Sequence, residues 1–269
     1  LVFWLFVFIG LWFFFWSFGT STFQRQEEVQ LFIPEWVVIR DMLSVPGGFC
    51  TVVEQALVQY YTASLFVLCV NSIFLCVAGF LCYLLLQEIA PRGYNLLLAL
   101  FPVLGLLKVH TSSFYVLDGT VGLILLLLFS YVFIRIRRMK VQLFYGVVSV
   151  FLVYGLTGQL AALYGLVVVC MSLLCRRRKW SGSLAVFLPK GKRSVKVFVA
   201  GSLLVVLFCF SAFCLPGPYE VRNNRMNELS VWEQRNDWDT IIREHPEKEE
   251  TDYVSLNYLN MALAQKGLL

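Results

Sequence analysis

Two short stretches of this sequence carry ionisable side chains at spacings that could do chemistry. In FQRQEEVQLFIPEW, Glu27 and Glu28 stand beside Arg25 directly after a long apolar run, and LLKVHTSSFYVLDG carries Lys108, His110 and Asp118. A carboxylate within hydrogen-bond reach of a hydroxyl is an ordinary general base. A cation beside a departing phosphate stabilises the charge that gathers as the bond breaks. Glu27, Glu28 and Asp118 are therefore the candidate catalytic acids, and Arg25, Lys108 and His110 the candidate lipid-phosphate-binding cations, with Asp118 placed to orient Lys108. The competing reading makes Glu27 and Glu28 the polar face of a juxtamembrane helix that turns Leu31, Phe32 and Trp36 to lipid headgroups. It also makes Asp118 a helix-start carboxylate near Lys108 or His110. Arg40 and Asp41 read as solvated. No Cys-x-x-Cys or His-rich spacing occurs, so neither a metal nor a cofactor is expected.

The elements that position these residues follow from solvation. With 59% hydrophobic residues, 24 Phe and only 14% charged residues, and a mean hydropathy of +0.73, the chain lies outside the range of soluble domains. Its apolar runs match the roughly 17–25 residues a helix needs to cross the bilayer core, where every backbone group must be paired within its own helix or barrel. The fold class expected is all-α, a polytopic transmembrane bundle of about seven spans. These run over Leu1 to Gly19, Ala63 to Gln87, a short Tyr94 to Leu107 that carries Pro102, Phe114 to Ile134, two spans within Leu143 to Cys175, and Val195 to Leu215. The stretch from Leu143 to Cys175 is too long for one span, and GLTGQ (Gly155 to Gln159) supplies the turn. Asn71, inside the second span, and Gln159 read as interhelical hydrogen-bond formers.

Charge orients the stack. RIRRMK (Arg135 to Lys140) holds four bases, and the loop from Arg176 to Lys196 holds eight, with no acid in either; such clusters stay cytoplasmic. The expected topology puts the N-terminus in the cytoplasm, an outer juxtamembrane segment at 20–62, and the tail in the periplasm of a bacterial inner membrane. Five acids against two bases at 20–62, and ten against six from Tyr219 onward, agree with it. Because the bases sit at span ends, nucleic-acid binding is not expected. Of the eight cysteines, all but Cys50 fall in or at the ends of spans and read as small packing residues. A cleaved signal peptide is the competing reading of the first run, but its apolar stretch is long for that role and no A-x-A site follows.

Two domains result: the bundle over 1–218, and a helical tail over 219–269. In the tail a short helix is expected after Asn236 or Asp237, good N-cap types, ending before Pro246. A second should begin near Thr251, carry a Leu256, Leu259, Leu263 stripe and be capped by Gly267. Trp238 and Ile241 would face Ala262 and Leu263, a spacing loosely like one tetratricopeptide unit. WDTIIREH, SLNYLNMALAQKG and PGGFCTVVEQALVQYY (Pro46 to Tyr61) together resemble an uncharacterised family of Bacteroidetes inner-membrane proteins. That resemblance implies a multi-span N-terminal half feeding a helical periplasmic half with further helices, and no activity. The function expected is an inner-membrane anchor or scaffold that presents a helical-repeat surface to a periplasmic protein partner. The alternative is a polyprenyl-phosphate-dependent glycosyltransferase-like enzyme acting on a lipid-linked sugar at the periplasmic face, with Glu27 or Glu28 as base. A transporter is the weakest of the three, because no charged relay runs through the spans.

Overall fold

A computed structural model of the protein describes residues 2–18, 23, 26–27, 30, 32–61, 64–89, 91, 94–112, 115–176, 218–244 and 253–268. Among these every regular element is a helix. In chain order they are α1 (Val2–Phe18), α2 (Trp36–Leu43), α3 (Gly48–Val58), α4 (Ser64–Ile89), α5 (Asn95–Leu98), α6 (Leu100–His110), α7 (Asp118–Arg135), α8 (Met139–Thr157), α9 (Leu160–Arg176), α10 (Pro218–Gln234), α11 (Trp238–Glu244) and α12 (Tyr253–Gln265). The span expected at 195–215, nearly all of the basic loop before it, Arg25 and Glu28 lie outside the described residues.

Three of these helices are long and apolar enough to cross a membrane, over Leu65–Ile89, Asp118–Arg135 and Met139–Thr157. α1 and α9 are apolar but shorter, at 17 residues each. The expected third span is broken in two at Ala99. Pro102 has no amide hydrogen to give Leu98, so the backbone restarts as a new helix with proline in its first turn. Between α8 and α9 the turn is tighter than the five residues of GLTGQ suggest. α8 runs on to Thr157, and Gly158 turns the chain at φ 61°, ψ −121°, a conformation that disfavours any residue with a Cβ.

α4 is the hub, packing against α1, α6 and α7, while α7, α8 and α9 pack on one another. Leu11, Phe14 and Phe15 of α1 share a buried cluster with Leu68 and Leu75 of α4 and with Val103 and Leu107 of α6. α1 comes this close because Gly79 of α4 has no side chain: a Cβ there would stand 2.6 Å from the Trp4 indole and 2.5 Å from Val103. Small residues at helix crossings allow such approaches inside a bilayer. At one end of the bundle Arg135 pairs with Glu88 at 2.8 Å and lies over the Tyr131 ring. The opposite end is where α3, the start of α7 and the α8–α9 turn meet. Amphipathic α2 and α3 cover that end, α3 packing on both α7 and α8. The polar stretch before them is not one continuous helix: residues 32–35 have no helical turn and α2 starts only at Trp36, after the Pro34 ring. Arg40 and Asp41 are exposed on α2, as expected.

In the tail, Asp237 caps α11 by accepting the Thr240 amide at 3.3 Å. α12 ends on Gly267 at φ 67°, where the Leu268 amide returns to the Leu263 carbonyl at 2.9 Å. That pattern satisfies the last carbonyls of a helix. The pair is covered by α10, an element the sequence reading did not anticipate. Leu229 of α10 is buried against Ile241 and Ala262, with Met226, Trp232, Trp238 and Tyr258 around them. Leu256, Leu259 and Leu263 stay half-buried.

Candidate functional site

The site grows from the way α3 is held to the bundle. Its N-terminus is the PGG turn, in which Gly47 adopts φ 93° and donates its amide to the Gly155 carbonyl at 3.0 Å. Gly47 and Gly158 touch backbone to backbone: a Cβ on Gly47 would lie 3.3 Å from the Gly158 nitrogen, and one on Gly158 would lie 3.0 Å from the Pro46 carbonyl oxygen. Two turns that read separately as PGG and GLTGQ are thus one contact. Between them and the first turn of α7 lies a cavity of about 550 Å³. Asp118, Gly119, Thr51, Cys50, Thr157 and Gln159 line it, with the apolar side chains of Met42, Val45 and Leu160.

Behind the cavity, α3 carries Glu54, 1% exposed. Its Oε1 accepts the Gln30 side-chain amide at 2.9 Å and the Leu117 backbone amide at 3.2 Å. The Asp118 amide bonds to the same carboxyl. One carboxyl therefore joins the strip around Gln30, α3 and the start of α7, whose unpaired amides and positive dipole end suit an acid. Glu54 lies outside the three helices that are long and apolar enough to cross a membrane. Burial pushes it up from 4.5 to about 7, against the pull of the Gln30 bond and with a further push from Asp118. The folded state thus keeps this proton up to about pH 7 and the unfolded chain releases it near 4.5. Stability from this group is full below pH 4.5 and is lost as pH rises through 7. In thermal melts of the detergent-solubilised protein, Glu54→Gln should gain stability relative to wild type as pH rises across that window, by up to about 1.4 kcal/mol per pH unit. A difference between the two proteins that stays constant with pH would contradict the assignment.

Beside Glu54 runs a chain of buried hydrogen bonds that uses His110, itself 1% exposed. Asn71 donates its amide hydrogens to the Tyr61 hydroxyl at 3.2 Å and the Val67 carbonyl at 2.9 Å. Its carbonyl oxygen is left to accept from His110 Nδ1 at 2.8 Å. That assigns the Nδ1–H tautomer, so Nε2 accepts from the Thr120 hydroxyl at 2.8 Å. Thr120 in turn accepts from the Tyr115 hydroxyl at 2.5 Å. Every polar atom in the chain has a use, as buried polar networks require. Asn71 forms the interhelical bond its position suggested.

Of the described sequence candidates, Asp118 alone lines the cavity. His110 lies behind it, two hydrogen bonds from Tyr115, and Lys108 is half-buried in the last turn of α6. Glu27 sits between two glutamines that tie its strip to the same place: Gln26 donates to the Ser112 carbonyl at 3.0 Å and Gln30 to Glu54. The structure thus gathers these residues at one end of the bundle without lining one pocket with all of them. The sequence reading passed over Glu54, Tyr61, Tyr115 and Thr120. For Glu54 a signal existed: it is the sole acid in the otherwise uncharged helix GFCTVVEQALV, and such an acid is costly unless held.

No curated protein and no solved structure matches the chain. A family match covers residues 1–269, and the chain belongs to that family of unknown function, DUF6057.

Proposed function

We propose that the protein is a seven-span inner-membrane protein, N-terminus cytoplasmic and tail periplasmic, whose outer end transfers a sugar from a polyprenyl-phosphate lipid. The observation that carries this reading is the cavity closed by α3, the α8–α9 turn and the start of α7, with Asp118 in its lining. The topology draws on the acid-free basic loops, and on the position of Arg135 and Met139 at the end of the bundle away from that cavity. In the reaction, a carboxylate takes the proton of the acceptor hydroxyl, whose oxygen bonds to the anomeric carbon. The carbon–oxygen bond to the lipid phosphate breaks, and the phosphate leaves with the electron pair. Asp118 is the base nearest the cavity, and Glu27 and Glu28 serve the neighbouring strip. Arg25 and Lys108 are the cations for the phosphate. His110 has both ring nitrogens engaged inside the protein, so its part is to position α6 against α7.

Removing a positioned base costs about 10²–10⁴-fold in rate. Asp118→Asn, assayed in proteoliposomes with a lipid-linked sugar donor, should lose transfer by about that factor, with Glu27→Gln also impaired. A second reading, the scaffold, draws on the half-covered Leu256, Leu259, Leu263 stripe of α12, a surface for a periplasmic protein partner. If both variants transfer sugar as wild type does while deletion of 219–269 abolishes the cellular phenotype, the transferase reading fails and the scaffold replaces it.

A further inference from the structure

A transferase site must receive two chemically different groups, an acidic lipid phosphate and an acceptor hydroxyl. We infer that the cavity beneath α3 is the acceptor subsite and takes a neutral, hydroxyl-rich group, a mono- or disaccharide unit, with the lipid phosphate remaining outside it. This rests on the transferase reading.

The lining decides between the two groups. Among the described residues that line it, Asp118 is the one charged side chain and none is Lys, Arg or His. Glu54 stands behind the wall, close enough for Asp118 to perturb it. A phosphate brought into the cavity would therefore meet the Asp118 carboxylate, with no cation among the described lining residues to offset it. A saccharide meets groups that suit it. Asp118 accepts from hydroxyls, and the Gln159 side chain both donates and accepts. Thr157 gives its hydroxyl hydrogen to the Val153 carbonyl at 2.8 Å, which leaves its oxygen free to accept. Met42, Val45 and Leu160 supply apolar surface for the C–H faces of a sugar ring. An organic ammonium is the other group a carboxylate attracts. Such ligands are held by aromatic faces, and none of the described lining residues is aromatic. Its volume of about 550 Å³ lies within the usual range for small-molecule sites.

The test needs no turnover. In the whole protein carrying Cys50→Ser and Thr51→Cys, the new thiol lies in the cavity wall and reports its occupancy. Its labelling by a small, charged thiosulfonate is timed in the presence of methyl glucoside, methyl mannoside, N-acetylglucosamine or maltose, and separately with inorganic phosphate or tetramethylammonium. At about ten times its Kd, a saccharide should slow labelling by about tenfold, and Asp118→Asn should remove the protection. Protection by phosphate or tetramethylammonium in place of the saccharides, or by none of the compounds, overturns the assignment. Equilibrium dialysis of the same saccharides against wild type decides the matter should the double variant misfold: no binding there counts against it equally. Saccharide protection without transfer from a lipid-linked donor keeps the subsite and sinks the transferase. Transfer with protection by phosphate alone does the reverse.

Discussion

Replacing His110 with alanine should destabilise the protein by about 3–5 kcal/mol, the sum of a vacated ring volume and two broken buried hydrogen bonds. The ring is the middle of the chain from Asn71 to Thr120, and it packs against Phe15 and Tyr115. Without it, the Asn71 carbonyl has no donor in a place water does not reach. Thr120 keeps Tyr115, so the damage falls mainly on the contact between α4 and α6. Helix–helix hydrogen bonds within bilayers average well under 2 kcal/mol each, which makes the lost packing the larger share. His110→Asn, which retains a side-chain amide to give to Asn71 but cannot also reach Thr120, should fall between wild type and alanine. Denaturation in mixed micelles measures the series. An alanine variant as stable as wild type would mean that the network contributes nothing.

Gly48→Ala should be the next most damaging change, at about 3 kcal/mol or more, because overpacking against backbone has no cheap relaxation. A Cβ at Gly48 would lie 1.8 Å from the Met42 carbonyl oxygen and 2.7 Å from its carbon. The last turn of α2 would have to move away, and α2 and the cavity wall with it. Residues 32–61 should become sensitive to protease while the bundle helices stay protected. Gly105→Ala is the matching control: nothing lies within 4 Å of a Cβ there, so it should melt with wild type. A Gly48→Ala protein that resists protease as wild type does would refute the turn geometry.

The helices of the bundle were legible because long, uninterrupted apolar runs leave the backbone no way to pair its polar groups but within a helix. The apolar runs therefore coincide with α1, α4, α7, α8 and α9 to within a few residues. Gly267 and Asp237 were legible for a similar reason, since capping chemistry is local. What could not be read is what depends on surfaces far apart in sequence. PGG and GLTGQ each announce a turn, and neither says that it touches the other. Glu54 stands out as the sole acid of its helix, but what holds it is apparent only once α3 is laid on α7. α10 escaped notice because NNRMNE shows no apolar rhythm, and Leu229, the buried anchor among its described side chains, gains meaning only once Ile241 and Ala262 are beside it.

The backbone contact of Gly47 with Gly158 sets a schedule for biogenesis. The two partners are roughly 110 residues apart, and at about 5–20 residues per second a ribosome needs on the order of 5–20 seconds to supply the second after the first. For that interval the segment that holds α2 and α3 can lean only on what has already been synthesised. α4 arrives early, and the start of α7, with the Leu117 amide that Glu54 accepts, comes roughly two-thirds of the way through. The cavity therefore closes in two stages. Glu54 docks α3 provisionally on α7, and the α8–α9 hairpin then slides its glycine under the PGG turn, a fit that demands no side-chain rearrangement because neither partner has one.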